Sequence, residues 1–429
     1  MLDTIGFALG GLLMDLLGQK STTTIDKALS VSWQQAKVFD VPTQPDPTVE
    51  AIVEDYLKEL TAKGYARNQQ GVWIQSEWAE LARHQESIPV SAASLTKVAT
   101  TIACLETWDL NHRFETRIYQ TGIVKNGVLE GDLIVQGDGD PLFVWEEAIA
   151  LGNALNELGI RQVKGNLIVT GNFYMNFKTD PQISGELLKQ GINARLWSSV
   201  VQKQYQMLAL GTLRPQIAIA GKVQFQSALP DTAQLILRHQ SLTLTQLLKQ
   251  MNVYSNNVMA EILGQSLGGS SVVATLAAQA ADVSPNEIQL INSSGLGVEN
   301  RISPRAATRM FMALEQKLEF HSVKVADLFP VSGRDRNGTM QWRNIPSGVA
   351  IKTGTLAQVS ALAGTIPTKE RGLVWFAIIN RGGNIEQLRS EQDRLLLRLS
   401  QHWQIIPASN VATNEVYLGN PSRNVAYSR

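Results

Sequence analysis

Cysteine is nearly absent from this chain: one residue, Cys104, in 429. An internal disulfide is therefore excluded, and cysteine usage gives no reading of redox compartment. Cys104 lies in the apolar stretch 99–105 and reads as core filling. The five histidines (His84, His112, His239, His321, His402) lack metal-ligand spacing, so neither a metal nor a cofactor is expected. Charge of one sign is missing too, with 38 Lys and Arg against 38 Asp and Glu. That balance offers nothing to nucleic acid or another polyanion. The apolar stretch Ile5 to Leu17 is too short to span a bilayer. No Lys or Arg precedes it, Asp15 interrupts it, and Gly18-Gln19-Lys20-Ser21 is a poor cleavage pattern. It is read two ways, as an atypical export segment making peripheral membrane contact or as a packed N-terminal helix.

What is present is an ordinary globular composition, 44% hydrophobic and 18% charged, at a length that suits two or three compact units. Prolines 42, 45 and 47 read as an extended linker. Helical spacing follows from Val49 to Lys63 (Ile52, Val53, Tyr56, Leu57, Leu60), then a hairpin of Gly71–Gln75 with Glu80–Arg83. Residues 114–135 are strand-rich and turn at Asn126-Gly127, a dipeptide suited to positive φ. A helix pattern over 144–158 separates the similar strands Gly131-Asp-Leu-Ile-Val and Gly165-Asn-Leu-Ile-Val, as in a βαβ unit. Strand signals recur over 223–237 and a helix over 242–253. The run 349–379 alternates β-rich segments with turns, as an antiparallel sheet does, and 386–399 reads as a final amphipathic helix. Beyond Pro407 the residues are polar and read as a mobile tail.

Three short patterns stand in order: Ser94-Leu95-Thr96-Lys97, Ser255-Asn256-Asn257 and Lys352-Thr353-Gly354-Thr355. Read as S-x-x-K, S-x-N and K-T-G, they form the set found in β-lactamases and penicillin-binding proteins. Singly each is bland: Ser94, Ser255 and Asn257 are good helix caps, and an edge-strand lysine such as Lys352 discourages aggregation. As an ordered triple they point to serine acyl transfer on D-Ala-D-Ala peptides. At a helix start the Ser94 hydroxyl meets unpaired N–H groups and the positive end of the helix dipole. Lys97, three residues on, shares its face and can take its proton if neutral, a state that burial and a neighbouring cation such as Lys352 favour. Ser255 can relay a proton to the leaving amine, while Asn257 can bind the substrate carbonyl and hold Lys97. Strand alternation puts Lys352 and Gly354 on one face and Thr353 with Thr355 on the other. Gly354 lets a substrate backbone lie along the strand, and the N–H groups of Thr355 and Ser94 can form an oxyanion hole. The hydroxyls of Thr353 and Thr355 can hold a free C-terminal carboxylate.

Beyond these motifs, residues 131–141 (Gly131-Asp-Leu-Ile-Val-Gln-Gly-Asp-Gly-Asp-Pro141), Ser294-Gly-Leu and Glu299-Asn-Arg-Ile-Ser-Pro304 complete a resemblance over roughly residues 70–400. The chain resembles the D-alanyl-D-alanine carboxypeptidase/endopeptidase family of class C penicillin-binding proteins. In that family's "DGSGLS" block the chain reads Asn292-Ser293-Ser294 and, later, Gly297. The resemblance implies Ser94 as nucleophile, Lys97 as base, Ser255 and Asn257 in relay and binding, and Lys352 to Thr355 in carboxylate recognition.

The expected fold is α+β: a β-lactamase/transpeptidase-like domain with an antiparallel sheet flanked by helices, and a smaller α/β domain inserted between the first two motifs. Residues 1–48 form an apolar segment and linker, 49–111 plus 239–407 the catalytic domain, 112–238 the insertion and 408–429 the tail. The insertion is short for the family, whose members carry one or two extra domains there. The expected activity is a serine D,D-carboxypeptidase removing the terminal D-Ala from peptidoglycan stem peptides, extending to D,D-endopeptidase cleavage of cross-links. β-Lactams would acylate it, and its place would be the periplasm or cell envelope. One rival is a β-lactamase, against which no E-x-x-L-N pattern occurs between Ser255 and Lys352. Another is a non-catalytic peptidoglycan-binding protein on the same fold. Gly137-Asp-Gly-Asp140 reads as a tight turn rather than a calcium or nucleotide loop. Arg334, Arg336 and Arg343 read as solvated surface arginines.

Overall fold

The computed structural model describes residues 45–407 and 416–427. The stretch 5–17, with its two readings, lies outside them. Among the described residues no helix is long and apolar enough to cross a membrane.

The first helix, α1 (Pro47–Ala62), starts at Asp46, whose carboxylate accepts from the N–H groups of Thr48 and Val49, with Pro47 at the first helical position. It turns Val49, Val53, Tyr56, Leu57 and Leu60 inward. Strands β1 (Gln70–Ser76) and β2 (Glu80–His84) follow as the hairpin, then α2 (Thr96–Thr107). The middle of the chain supplies β3 (Glu115–Gln120), β4 (Leu133–Asp138), α3 (Trp145–Glu157), β5 (Leu167–Asn172), α4 (Pro181–Gly191), β6 (Val223–Phe225) and β7 (Gln234–Gln240). Then come α5 (Leu244–Val253), α6 (Asn257–Ser266), α7 (Ser270–Ala280) and α8 (Pro304–Leu318). Strands β8 (Ala350–Leu356), β9 (Val359–Thr368) and β10 (Gly372–Arg381), helix α9 (Ile385–Trp403) and a last strand, β11 (Asn424–Ala426), close the fold.

An antiparallel five-stranded sheet, ordered β8-β9-β10-β1-β2, carries two cores. Period-2 alternation assigns its residues to one or the other. Leu362, Ile366, Phe376 and Ile378 face α1 and α9, whereas Ala361, Ala363, Ala377 and Ile379 face α2, α5, α6 and α8. Alanines 361, 363 and 377 keep part of the second face low beside the segment before α2.

Residues 115–240 fold around a separate core of Ile118, Val135, Phe143, Leu151, Val169 and Leu237, among others. Its six-stranded sheet runs β6-β5-β4-β3-β7-β11, with β4, β5 and β6 parallel and the rest antiparallel. The unit β4-α3-β5 is the βαβ crossover that the repeated pentapeptides suggest. Asn126 and Gly127 both have positive φ, 53° and 83°, in the turn of a short hairpin. Asp138 and Asp140 accept backbone N–H groups of Glu115 and Leu142, which makes the glycine-aspartate run a turn.

Two expectations need correction. The tail is not free over 416–427: β11 pairs with β7, and Val416 and Leu418 pack on the catalytic core. An edge strand with unpaired backbone groups can recruit a polar segment through main-chain bonds alone, so side-chain polarity misleads here. Arg343 is not solvated either; it is buried against Asp393, with its Nη2 2.6 Å from the carboxylate.

Candidate active site

Ser94 sits in a single 3₁₀ turn, Ala93–Leu95, that leads into α2. The residue before it, Ala93, is buried at φ 49°, a left-handed conformation that costs a non-glycine residue strain and is commonest where a reactive side chain is being presented. Ser255, in the turn between α5 and α6, has the same property at φ 51°. Asn256 caps α6 by accepting from Met259 N, and Asn257 is the first residue of that helix.

Lys97, the second residue of α2 and one turn beyond Ser94, is fully buried. Its Nζ lies 3.1 Å from Ser94 Oγ, 2.7 Å from Asn257 Oδ1 and 2.7 Å from the Ser294 carbonyl. An uncharged amine has two N–H bonds and one lone pair. The two short contacts are to pure acceptors and take the two N–H bonds, so the lone pair is left facing the Ser94 hydroxyl. Burial brings Lys97 down from 10.5 to about 7, with the Glu261 charge opposing.

Lys352, also fully buried, reaches Ser255 Oγ at 3.0 Å and the Thr353 carbonyl at 2.7 Å. Burial, and then the charge of Lys97, hold it well below its ordinary value. The five residues Ser94, Lys97, Ser255, Asn257 and Lys352 are thus joined by hydrogen bonds in two groups. Gly354 also meets a packing demand that its strand pattern does not announce. A Cβ there would stand 2.7 Å from Ala92 O and 3.1 Å from Ser94 N, so the glycine admits the Ser94 turn itself. Thr353 is buried beside it, while Thr355, at the exposed end of β8, accepts from Arg389 Nη2 of α9 at 2.9 Å.

Sequence reasoning does not find the Ser294 carbonyl, Glu261 or Arg389. The block around Ser294 is visible as a pattern, but a carbonyl's role leaves no trace in residue identity. Asn292, where the family has Asp, keeps the acceptor function: its Oδ1 takes the Gly295 N–H at 2.8 Å. A groove of about 640 Å³ leads away from the Ser255 turn, between Tyr254, Asn256 and Met259 on one side and Leu142, Trp145 and Phe177 of the inserted unit on the other. Val416 and Leu418 of the closing segment complete its wall. Among the described residues no group of His, Cys, Asp and Glu could hold a metal ion.

The family described as D-Ala-D-Ala carboxypeptidase 3 (S13) matches residues 53–181 and 178–401. Carboxypeptidase Rv3627c of Mycobacterium tuberculosis is 24% identical over 344 residues, covering 70% of this chain and 73% of that protein. D-alanyl-D-alanine carboxypeptidase DacB of Haemophilus influenzae is 22% identical over 412 residues, covering 73% and 85%. Among solved structures, the penicillin G-acylated Bd3459 predatory endopeptidase of Bdellovibrio bacteriovorus, in complex with immunity protein Bd3460, shares the fold. Its TM-score is 0.69 at 19% identity, covering 83% of this chain and 99% of that one.

Proposed function

The chain belongs to the D-Ala-D-Ala carboxypeptidase 3 (S13) family, and on that premise we propose that Ser94 is the acylated nucleophile of a serine D,D-carboxypeptidase acting on peptidoglycan stem peptides. The single observation that carries the residue assignment is the surrounding of Lys97, which leaves a lone pair for one partner, the Ser94 hydroxyl. Lys97 takes the Ser94 proton as Oγ attacks the carbonyl of the penultimate D-Ala. The N–H groups of Ser94 and Thr355 receive the developing oxyanion; losing one such donor costs about 3–4 kcal/mol of barrier. Ser255, hydrogen-bonded to Lys352, hands its proton to the departing amine and is reprotonated with the proton that Lys97 took from Ser94. Water then hydrolyses the ester.

The free carboxylate of the leaving D-Ala is bound by the Thr353 and Thr355 hydroxyls, on the same strand as Lys352. Arg389, at 2.9 Å from Thr355 Oγ1, adds a guanidinium at the end of that strand. This supports a substrate with a free C-terminus as the first choice over an internal cross-link. A β-lactam carries the same carbonyl and carboxylate, so it acylates Ser94 as well. Its ester is expected to be long-lived, because the E-x-x-L-N glutamate that activates water in class A β-lactamases has no counterpart between Ser255 and Lys352. The substrate class places the protein in the cell envelope; a periplasmic site reached by export through the segment 5–17 is part of the proposal.

Intact mass after benzylpenicillin exposure, with Ser94→Ala alongside, tests the assignment. A single penicilloyl adduct on the wild type and none on the variant is expected. An adduct on Ser94→Ala overturns it.

A further inference from the structure

One carboxylate outside the three motifs is wired into the lysine cradle. Glu261 stands one turn beyond Asn257 on α6, hence on the same helix face. Its Oε2 accepts the N–H of Ser293 at 3.1 Å and its Oε1 the N–H of Ser294 at 3.0 Å. The carbonyls of these same two residues point the other way, to α2. Ser294 O accepts from Lys97 Nζ at 2.7 Å and Ser293 O from Thr100 Oγ1 at 2.7 Å. The loop is therefore stretched between two helices, its N–H groups held by α6 and its carbonyls by α2. Packing fixes the separation: a Cβ on Gly264, next along α6, would stand 1.8 Å from Ser293 Oγ.

We propose that Glu261 is a positioning residue for acylation: its two oxygens hold the Ser293–Ser294 backbone so that one carbonyl orients Lys97, and its charge sets how readily Lys97 gives up its proton. The inference rests on the reading of Lys97 as the base of Ser94. Of the charged groups around this cradle, Glu261 on α6 acts on the Lys97 amine and raises its proton affinity against burial, while Lys97 in turn lowers that of Lys352 on β8. Glu261 holds the proton on Lys97, so the neutral base accumulates only above about pH 7. Its loss removes the sole attraction in that set and leaves Lys97 neutral at lower pH.

The two roles separate in two variants. Glu261→Gln loses the charge and, its NH2 being a donor, one of the two acceptors. Glu261→Asp keeps the charge and both acceptors and loses a methylene of reach, so the pH midpoint reads the charge and the plateau reads the position. The second-order rate of acylation by a fluorescent penicillin is measured from pH 5 to 9 for both, with thermal unfolding to confirm the fold. In Glu261→Gln the midpoint of the acid limb moves to lower pH than in the wild type. In Glu261→Asp the midpoint stays near the wild type and the plateau rate falls ~10–100-fold, the scale of a small misplacement of a reacting group. An unmoved midpoint in folded Glu261→Gln overturns the electrostatic role, and an undiminished plateau in Glu261→Asp overturns the positioning role. Lys97→Met separates this from the parent reading: if it leaves acylation intact, Lys97 is not the base. If Lys97→Met abolishes acylation while both Glu261 variants behave as the wild type, the inference about Glu261 alone is wrong.

Discussion

Lys97 and Lys352 are fully buried in the catalytic half and bond only to neutral oxygens among the described residues, whereas Glu147, sunk in the inserted unit, and the nearly buried Arg423 of the closing segment grip each other at 2.5 Å. The same burial has opposite consequences. Without an opposite charge in contact, desolvation falls on the protonated lysines and makes them poor cations, which is what a base or proton relay needs. With one, burial still raises the Glu147 carboxyl, but the attraction of Arg423 and its hydrogen bond oppose that rise and make the pair a fastener. Arg423 belongs to the closing segment and Glu147 to α3, so their pair ties the end of the chain to the middle. His239 beside them is kept neutral to about pH 3 by burial and by the charge of Arg423. Gly419 N adds a further hydrogen bond to the same carboxylate.

The comparison breaks most visibly at Lys97. Replacing it by Met is expected to lower the penicillin acylation rate ~10²–10⁴-fold, the usual contribution of a general base, while unfolding by heat stays near the wild type. Loss of fold instead of loss of rate would put Lys97 in the same class as Arg423. The converse change, Arg423→Ala, leaves Glu147 buried without its partner. It is expected to cost about 3–5 kcal/mol in urea unfolding and to open amide exchange over 416–427, with acylation of the folded fraction retained. If exchange in that segment is already fast in the wild type, the fastener does not exist.

A smaller effect sharpens the contrast through pH. Burial raises the Asp140 carboxyl from 3.8 to about 7, helped by the Glu147 charge and opposed by the Leu142 N–H. Between those values the folded chain holds a proton that the unfolded chain releases. This contribution is complete below about pH 4 and is lost as the pH rises to about 7. Lys97 acts with the opposite sign in the next window. From about 7 to 10.5 the unfolded chain holds the extra proton, so stability rises with pH. Urea midpoints from pH 4 to 7 are expected to fall less steeply in Asp140→Asn than in the wild type. Equal slopes would show that Asp140 ionises normally in the fold.

Local order was readable wherever a short window holds the whole cause. The αα and ββ periodicities gave α1, α3, α5, α9 and the β8-β9-β10 sheet within a few residues of their ends, and Asn126-Gly127 announced its turn through positive φ. Helices α7 and α8 were passed over: α7 is rich in alanine and serine, with few large apolar residues to mark a face, and α8 alternates charges with methionines. The docked segment 416–427 was invisible because its attachments, a strand edge, an arginine, a backbone N–H and two scattered apolar residues, have no signature until the partners are in place.

The amino-acid order alone settled the family, the α+β class and the identity of the side chains around Ser94, since each lies in a short pattern whose residue types answer a chemical need. Tertiary structure alone decided their state. Lys97 meets Asn257 across 160 residues and the Ser294 carbonyl across 197. Only that convergence removes water from the amine, consumes its two N–H bonds and turns its lone pair toward a hydroxyl. Proton affinity depends on solvent exclusion and on charges brought near in space, and neither quantity exists for a residue until the distant parts of the chain have closed around it.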